Sequence, residues 1–168
     1  MLVTIDDIRR AAGLADGVVL RTPVVGSAAR PDLLLKAESL QPTGAFKVRG
    51  AVHAIASLSA DARAAGVVTH SSGNHGQALA WAARRAGIPC VVVIPNGAPP
   101  VKIEAVRRLG ATIELVPANQ RAERADQIAA ERGMTLVPPY DHPHIIAGQG
   151  TVGLEILEDV PAPAAVLV

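Results

Sequence analysis

"GVVTHSSGNHGQALAWAARRAGIPCVVVIP", residues 66 to 95, decides the fold. It opens with a short apolar run behind a glycine. It then crosses six consecutive polar or glycine positions, Thr69 to Asn74, and enters a longer segment with helical spacing. In that segment Ala78, Leu79, Ala82 and Ala83 fall on one face. A glycine-containing break follows, and then "PCVVVIP". Continuous β-branched runs without polar alternation are what strands buried on both faces require. Strand, helix and strand in succession place the two strands parallel, with the helix covering them.

The same rhythm extends outward. "DLLLKAE" (32–38), "ATIELVP" (111–117) and "AAVLV" (164–168) read as further buried strands. Helical segments are expected at about 44–58, 74–86, 99–109, 120–132 and 148–159. In the first of these Val48, Ala51, Val52, Ile55 and Leu58 share a face. The chain is therefore α/β, with helices over a mostly parallel sheet. Residues 66–140 are regular enough to form a small α/β domain. Residues 1–65 and 141–168 are expected to be part of a larger α/β domain with its own sheet.

Phe46, Trp81 and Tyr140 are the only aromatic residues, so the core must be built from Val, Ile, Leu and Ala. A formal charge of +1 supplies no basic field for nucleic acid or acidic lipid. Cys90 lies inside an apolar run and reads as a small buried residue, without a disulfide partner in the chain. No signal peptide and no run long enough to span a bilayer is evident, which sets the expectation of a soluble cytoplasmic protein with neither membrane nor nucleic-acid partners.

Two motif matches are set aside. "GQGTVG" (148–153) fits the dinucleotide fingerprint G-x-G-x-x-G, but no good strand precedes it and no acidic ribose partner can follow at the right distance. "DHPH" (141–144) reads as a surface turn rather than a metal site, because no further Cys or His cluster supports it.

Two stretches carry chemistry. At Ser71-Ser72-Gly73-Asn74 a polar loop leads into a helix, whose first N–H groups are unpaired and partly positive. That suits a carboxylate or phosphate. It also suits an ordinary capped turn with Ser72 or Asn74 as the N-cap. The second is "LQPTGAFKVRGA" (40–51), which holds one of only three lysines, Lys47. With Thr43 as N-cap, Lys47 sits in the first helical turn. There the helix dipole opposes its charge by about 0.3–1 kcal/mol. Desolvation beside Phe46 and Val48 adds to the preference for the neutral amine, the form that attacks an aldehyde. A lysine snorkelling at a helix edge is the competing reading.

"SLQPTGAFKVRGA", "HSSGNHGQAL" and "IAGQGTVGLEIL" together resemble the serine/threonine dehydratase family of pyridoxal-phosphate enzymes, which includes serine racemase and hydroxyaspartate dehydratases. The resemblance spans about residues 4–168. One departure is Ala45, where a serine is common. The resemblance implies the tryptophan-synthase β-like fold and pyridoxal 5'-phosphate as cofactor. It implies that Lys47 carries the cofactor as a Schiff base and then acts as base at Cα. Phe46 would pack by the ring and Asn74 would bond its phenolic oxygen. Ser71, Ser72, Gly73, Asn74 and His75 would hold the substrate carboxylate, and Ser72 would exchange a proton on the face opposite the lysine. The implied activity is elimination of water and ammonia from serine, threonine or a 3-hydroxy amino acid, with racemisation as the alternative. A homodimer is expected of the complete enzyme.

The family's glycine-rich phosphate loop is expected just after "AAVLV". Its absence from these 168 residues suggests the N-terminal part of an enzyme, inactive alone. The other reading is a half-length binding or assembly module without catalysis.

Overall fold

A computed structural model describes residues 2–168. The "VVTH" and "CVVVIP" runs form β3 (Val67–His70) and β4 (Cys90–Pro95), parallel and in register from Val67 opposite Cys90 to His70 opposite Val93. β5 (Thr112–Val116) lies parallel on the far side of β4, and β6 (Thr135–Leu136) parallel on the far side of β3. The sheet order is β5-β4-β3-β6. Side chains alternate between two cores. Val67, Val92 and Ile94 pack on one face with Ala78, Leu79 and Ala82 of α4 (Asn74–Ala86). Val68, Val91, Val93 and Val116 pack on the other with Ala125 and Ile128 of α6 (Arg121–Arg132). Burial on both faces explains the unbroken valine run. Cys90 begins an interior strand, and burial pushes its thiol up to about 12. α5 (Pro100–Arg108) completes the alternation between β4 and β5.

The lysine stretch starts later than its spacing suggests. Gly44 turns the chain at φ +70°, so α2 (Lys47–Ala56) begins at Lys47 with Phe46 as N-cap. Thr43 is too far upstream to cap it, and its hydroxyl is buried without a partner. The segment after the sheet starts earlier. Pro143 occupies the first turn of α7 (Pro143–Asp159), and the ring of His142 accepts a hydrogen bond from the His144 N–H. "DHPH" is thus a helix start, and "GQG" lies inside that helix.

The glycines allow α7 to cross α2 closely. A Cβ on Gly148 would stand 2.7 Å from the Arg49 carbonyl oxygen and 2.8 Å from the Gly50 Cα. The crossing is locked by Arg49, which is 1% exposed. Its guanidinium donates to Glu38 at 2.7 and 2.8 Å and to Glu155 at 2.6 and 2.9 Å. Lys36 also pairs with Glu155, at 2.7 Å.

Two short 3-10 turns aside, four of the described elements lie outside the expectations. α1 (Ile5–Ala15) follows a Thr4–Asp7 capping box and packs on α7. α3 (Ala60–Ala65), capped by Ser59, precedes β3. β6 is only two residues long. β1 (Val24–Gly26) pairs antiparallel with β2 (Leu34–Lys36), which corrects the expectation of a buried parallel strand at 32–38. Leu34 and Leu35 are about half exposed, at 49% and 48%. The expected strand at 164–168 is also corrected. Those residues are exposed coil, and no strand among the described residues hydrogen-bonds to them. An extended apolar run becomes a strand only where another strand satisfies its backbone. No described helix is long and apolar enough to cross a membrane.

Candidate active site

Lys47 is placed by the start of α2, beside the ring of Phe46, whose centroid lies 4.9 Å from Nζ. The ammonium donates a hydrogen bond of 2.9 Å to the carbonyl of Pro139. Burial lowers its pKa from the ordinary lysine value. No carboxylate is hydrogen-bonded to Nζ, unlike Lys36, which meets both Glu155 and Asp159. Lys36 also donates to Thr22 O, at 2.6 Å, so what sets Lys47 apart from it is a neutral acceptor without a carboxylate beside it.

β3 delivers the polar loop. Ser71 N–H still continues the ladder, donating to Val93 O at 3.2 Å, and Gly73 N–H donates to the Ser71 hydroxyl at 3.3 Å. Gly73 is the N-cap of α4 with extended backbone and no side-chain cap, so neither Ser72 nor Asn74 caps the helix. A Cβ on Gly76 would stand 2.5 Å from the Ser71 carbonyl oxygen, which packs the loop tightly over the first turn. The N–H groups of Ser72, Asn74, His75 and Gly76 have no partner among the described residues. Unpaired amides at a helix start attract an anion.

His75 points inward. It is 2% exposed, and its Nε2–H donates to Val137 O at 3.1 Å. Burial pushes its pKa down to about 4; the Val137 bond opposes this, and the Lys47 and His70 charges reinforce it. Lys47 and His75 therefore meet on one segment, Val137 to Pro139, just past β6. Ser71 and Ser72 are partly buried, whereas Asn74 is exposed. Arg49 escaped sequence reading, although a signal existed. It is a second charge in a mostly apolar stretch, two residues after Lys47, with no acid three or four residues away.

Among the described residues no group of three or more His, Cys, Asp or Glu is arranged to hold a metal. The residues do fit an aldehyde cofactor and an anionic substrate: a partly desolvated amine and a helix start with unpaired amides, both tied to the Val137–Pro139 segment.

The family described as "Pyridoxal-phosphate dependent enzyme" matches residues 16–168. The chain is 42% identical to the L-threonine ammonia-lyase of Thermotoga maritima, over 99% of this chain and 43% of that protein. It is 42% identical to the L-threo-3-hydroxyaspartate ammonia-lyase of Saccharomyces cerevisiae, over 94% of this chain and 50% of that one. The crystal structure of serine racemase from Dictyostelium discoideum superposes with a TM-score of 0.90 at 41% identity, covering 95% of this chain and 54% of that chain. The chain spans about half the length of the curated relatives it matches.

Proposed function

The chain belongs to the pyridoxal-phosphate-dependent enzymes of tryptophan-synthase β-like fold, and on that premise we propose that its protein eliminates water from a 3-hydroxy amino acid, giving a keto acid and ammonia. The observation that carries this reading is the Lys47 amine, lowered in pKa and held by Pro139 O, on the same short segment that anchors the start of α4.

When bound, the cofactor supplies an electron sink for the charge left at Cα. Lys47 would hold its aldehyde carbon, with Phe46 beside the ring and Asn74 at its phenolic oxygen. The free amides of Ser72, Asn74, His75 and Gly76, within the Ser71–His75 loop and the residue after it, bind the substrate carboxylate through charge-assisted hydrogen bonds and the helix dipole. That contact fixes which face of Cα meets Lys47. Nζ, desolvated and more readily neutral than an exposed amine, takes the Cα proton. The β-hydroxyl leaves with a proton as water, and hydrolysis of the unsaturated amine releases keto acid and ammonia. Residues 66–140 would act as the smaller unit presenting α4. Residues 1–65 and 141–168 would carry the lysine.

Racemisation is the second reading, supported by the serine racemases among the relatives and by Ser72 in the polar loop. There the Ser72 hydroxyl would move a proton at the Cα face opposite Lys47.

The test is borohydride reduction of the full-length protein with pyridoxal phosphate, followed by peptide mapping and a keto-acid assay. The pyridoxyl group is expected on the Lys47 peptide, with turnover of serine, threonine or 3-hydroxyaspartate that Lys47→Ala abolishes. Label on Lys36 or Lys102 would defeat the assignment.

A further inference from the structure

The segment Val137-Pro138-Pro139 is held at three points. Val137 N–H donates to Val68 O at 2.9 Å, which ties it to the sheet. Val137 O accepts from His75 at 3.1 Å. Pro139 O accepts from Lys47 at 2.9 Å. Between the second and third points lie two prolines. Each fixes its φ near −65°. Val137 and Pro138 each precede a proline, which confines them to extended backbone. The chain is therefore stiff from Val137 O as far as the Cα of Pro139, and a single torsion, ψ of Pro139, is left to set where Pro139 O points.

His75 is built for a fixed role. A carbonyl only accepts, so the bond to Val137 requires the proton on Nε2. Nδ1 is left as a buried acceptor with no partner. The ring is sealed from solvent, and burial keeps it neutral near pH 7. Nothing in this arrangement exchanges protons with a substrate. Lys47, by contrast, has a long flexible stem, with about 2 kcal/mol of rotamer entropy opposing any single position.

We infer that His75 is a positioning residue: through Val137 and the proline pair it fixes the Pro139 carbonyl that aims the Lys47 amine. The role differs from that of its backbone N–H, which faces the anion site. The catalytic meaning of the strut rests on the function proposed for Lys47; the mechanical link does not.

The test needs no cofactor. Reductive methylation of the full-length protein with 13C-formaldehyde labels its lysines, and the Lys47 signal is identified by its loss in Lys47→Arg. The pH midpoint of the Lys47 methyl signal then reports how the amine is held. His75→Gln keeps a donor near the Nε2 position and should retain the wild-type midpoint. His75→Leu removes the donor. The midpoint should rise toward the ordinary lysine value as the amine swings into water. Pro138→Gly leaves His75 intact but loosens the link, and should move the midpoint the same way. A long-range 1H–15N spectrum of the wild type should show the neutral Nε2–H form at pH 7.

Wild-type midpoints in folded His75→Leu and Pro138→Gly would overturn the inference. So would an Nδ1–H ring in the wild type. If His75→Leu does not fold, Pro138→Gly and the ring spectrum decide: a raised midpoint with an Nε2–H ring supports the strut, and an unmoved midpoint refutes it. Such a failure would leave pyridoxyl mapping to Lys47 untouched, and a failed mapping would leave the strut untouched.

Discussion

Replacing Gly148 by alanine should weaken the protein, although alanine is the better helix former. The added Cβ would meet Arg49 O at 2.7 Å, Gly50 Cα at 2.8 Å and His53 Cβ at 2.8 Å. Comfortable carbon contacts lie near 3.5–4.0 Å, so α2 and α7 would have to part by roughly 0.7–1 Å. None of the three atoms is the loose end of a side chain, and the Arg49 bonds to Glu38 and Glu155 resist the movement. Overpacking of this kind costs about 1–3 kcal/mol. Alanine recovers about 0.5–1 kcal/mol through helix propensity and lost unfolded-state freedom. The net loss should be about 0.5–2 kcal/mol. Gly153, on the same helix, supplies the control, because a Cβ there meets nothing within 4 Å. Gly153→Ala should stabilise by about 0.5–1 kcal/mol. Urea unfolding should move the two midpoints in opposite directions, by roughly 0.3–1 M each at an ordinary m-value. A Gly148→Ala protein as stable as the wild type would show that the crossing is not tight and would refute the overpacking.

The same geometry sets further expectations. Arg49→Met strands Glu38 against a buried surface and should cost roughly 3–5 kcal/mol in urea unfolding. Gly76→Ala forces the Ser71 carbonyl, 2.5 Å from the new Cβ, out of place. Affinity of the full-length protein for an amino-acid carboxylate should fall at least tenfold, measured as KM, an expected loss of about 1.4 kcal/mol. His75 has a folded pKa of about 4 against an ordinary 6.5, so its neutral form supports stability fully above pH 6.5. That support is lost as pH falls from 6.5 toward 4, amounting to about 3 kcal/mol. His75→Gln should flatten this part of the stability–pH curve, and an unchanged slope would refute the burial argument. Ser72→Ala in the full-length protein should reduce racemisation far more than elimination, read by chiral chromatography beside keto-acid release. Equal losses would assign Ser72 to carboxylate binding alone.

The parallel sheet was legible because Val67-Val68 and Cys90–Ile94 are unbroken apolar runs, a pattern that suits a doubly covered strand. The helix faces of α2 and α4 were legible for the same reason of spacing. The caps of α2 and α4 were not legible, because no side chain caps either helix and glycine sets where the backbone turns. Gly44 turns the chain before α2, and Gly73 rather than a polar neighbour begins α4. The two-residue β6 carries almost no periodic signal, yet it leads into the segment that holds both Lys47 and His75. The amine and the polar loop could be named from the sequence, but not the carbonyl between them. Backbone acceptors leave no mark in residue identity, and the bond from Lys47 spans 92 positions. "AAVLV" misleads in the opposite way: its residues suit a strand, but a strand also needs a neighbour.

Cys90 also gives the chain an internal clock. It is the sole thiol, 8% exposed on an interior strand, with its thiolate suppressed by burial. A disulfide reagent added to the native protein should therefore find almost nothing to attack between openings of the sheet. The rate of colour development would count those openings directly. If the sheet remains closed while the start of α4 loosens, a ligand that steadies only that start should leave the rate unchanged. A ligand that braces the sheet itself should slow it.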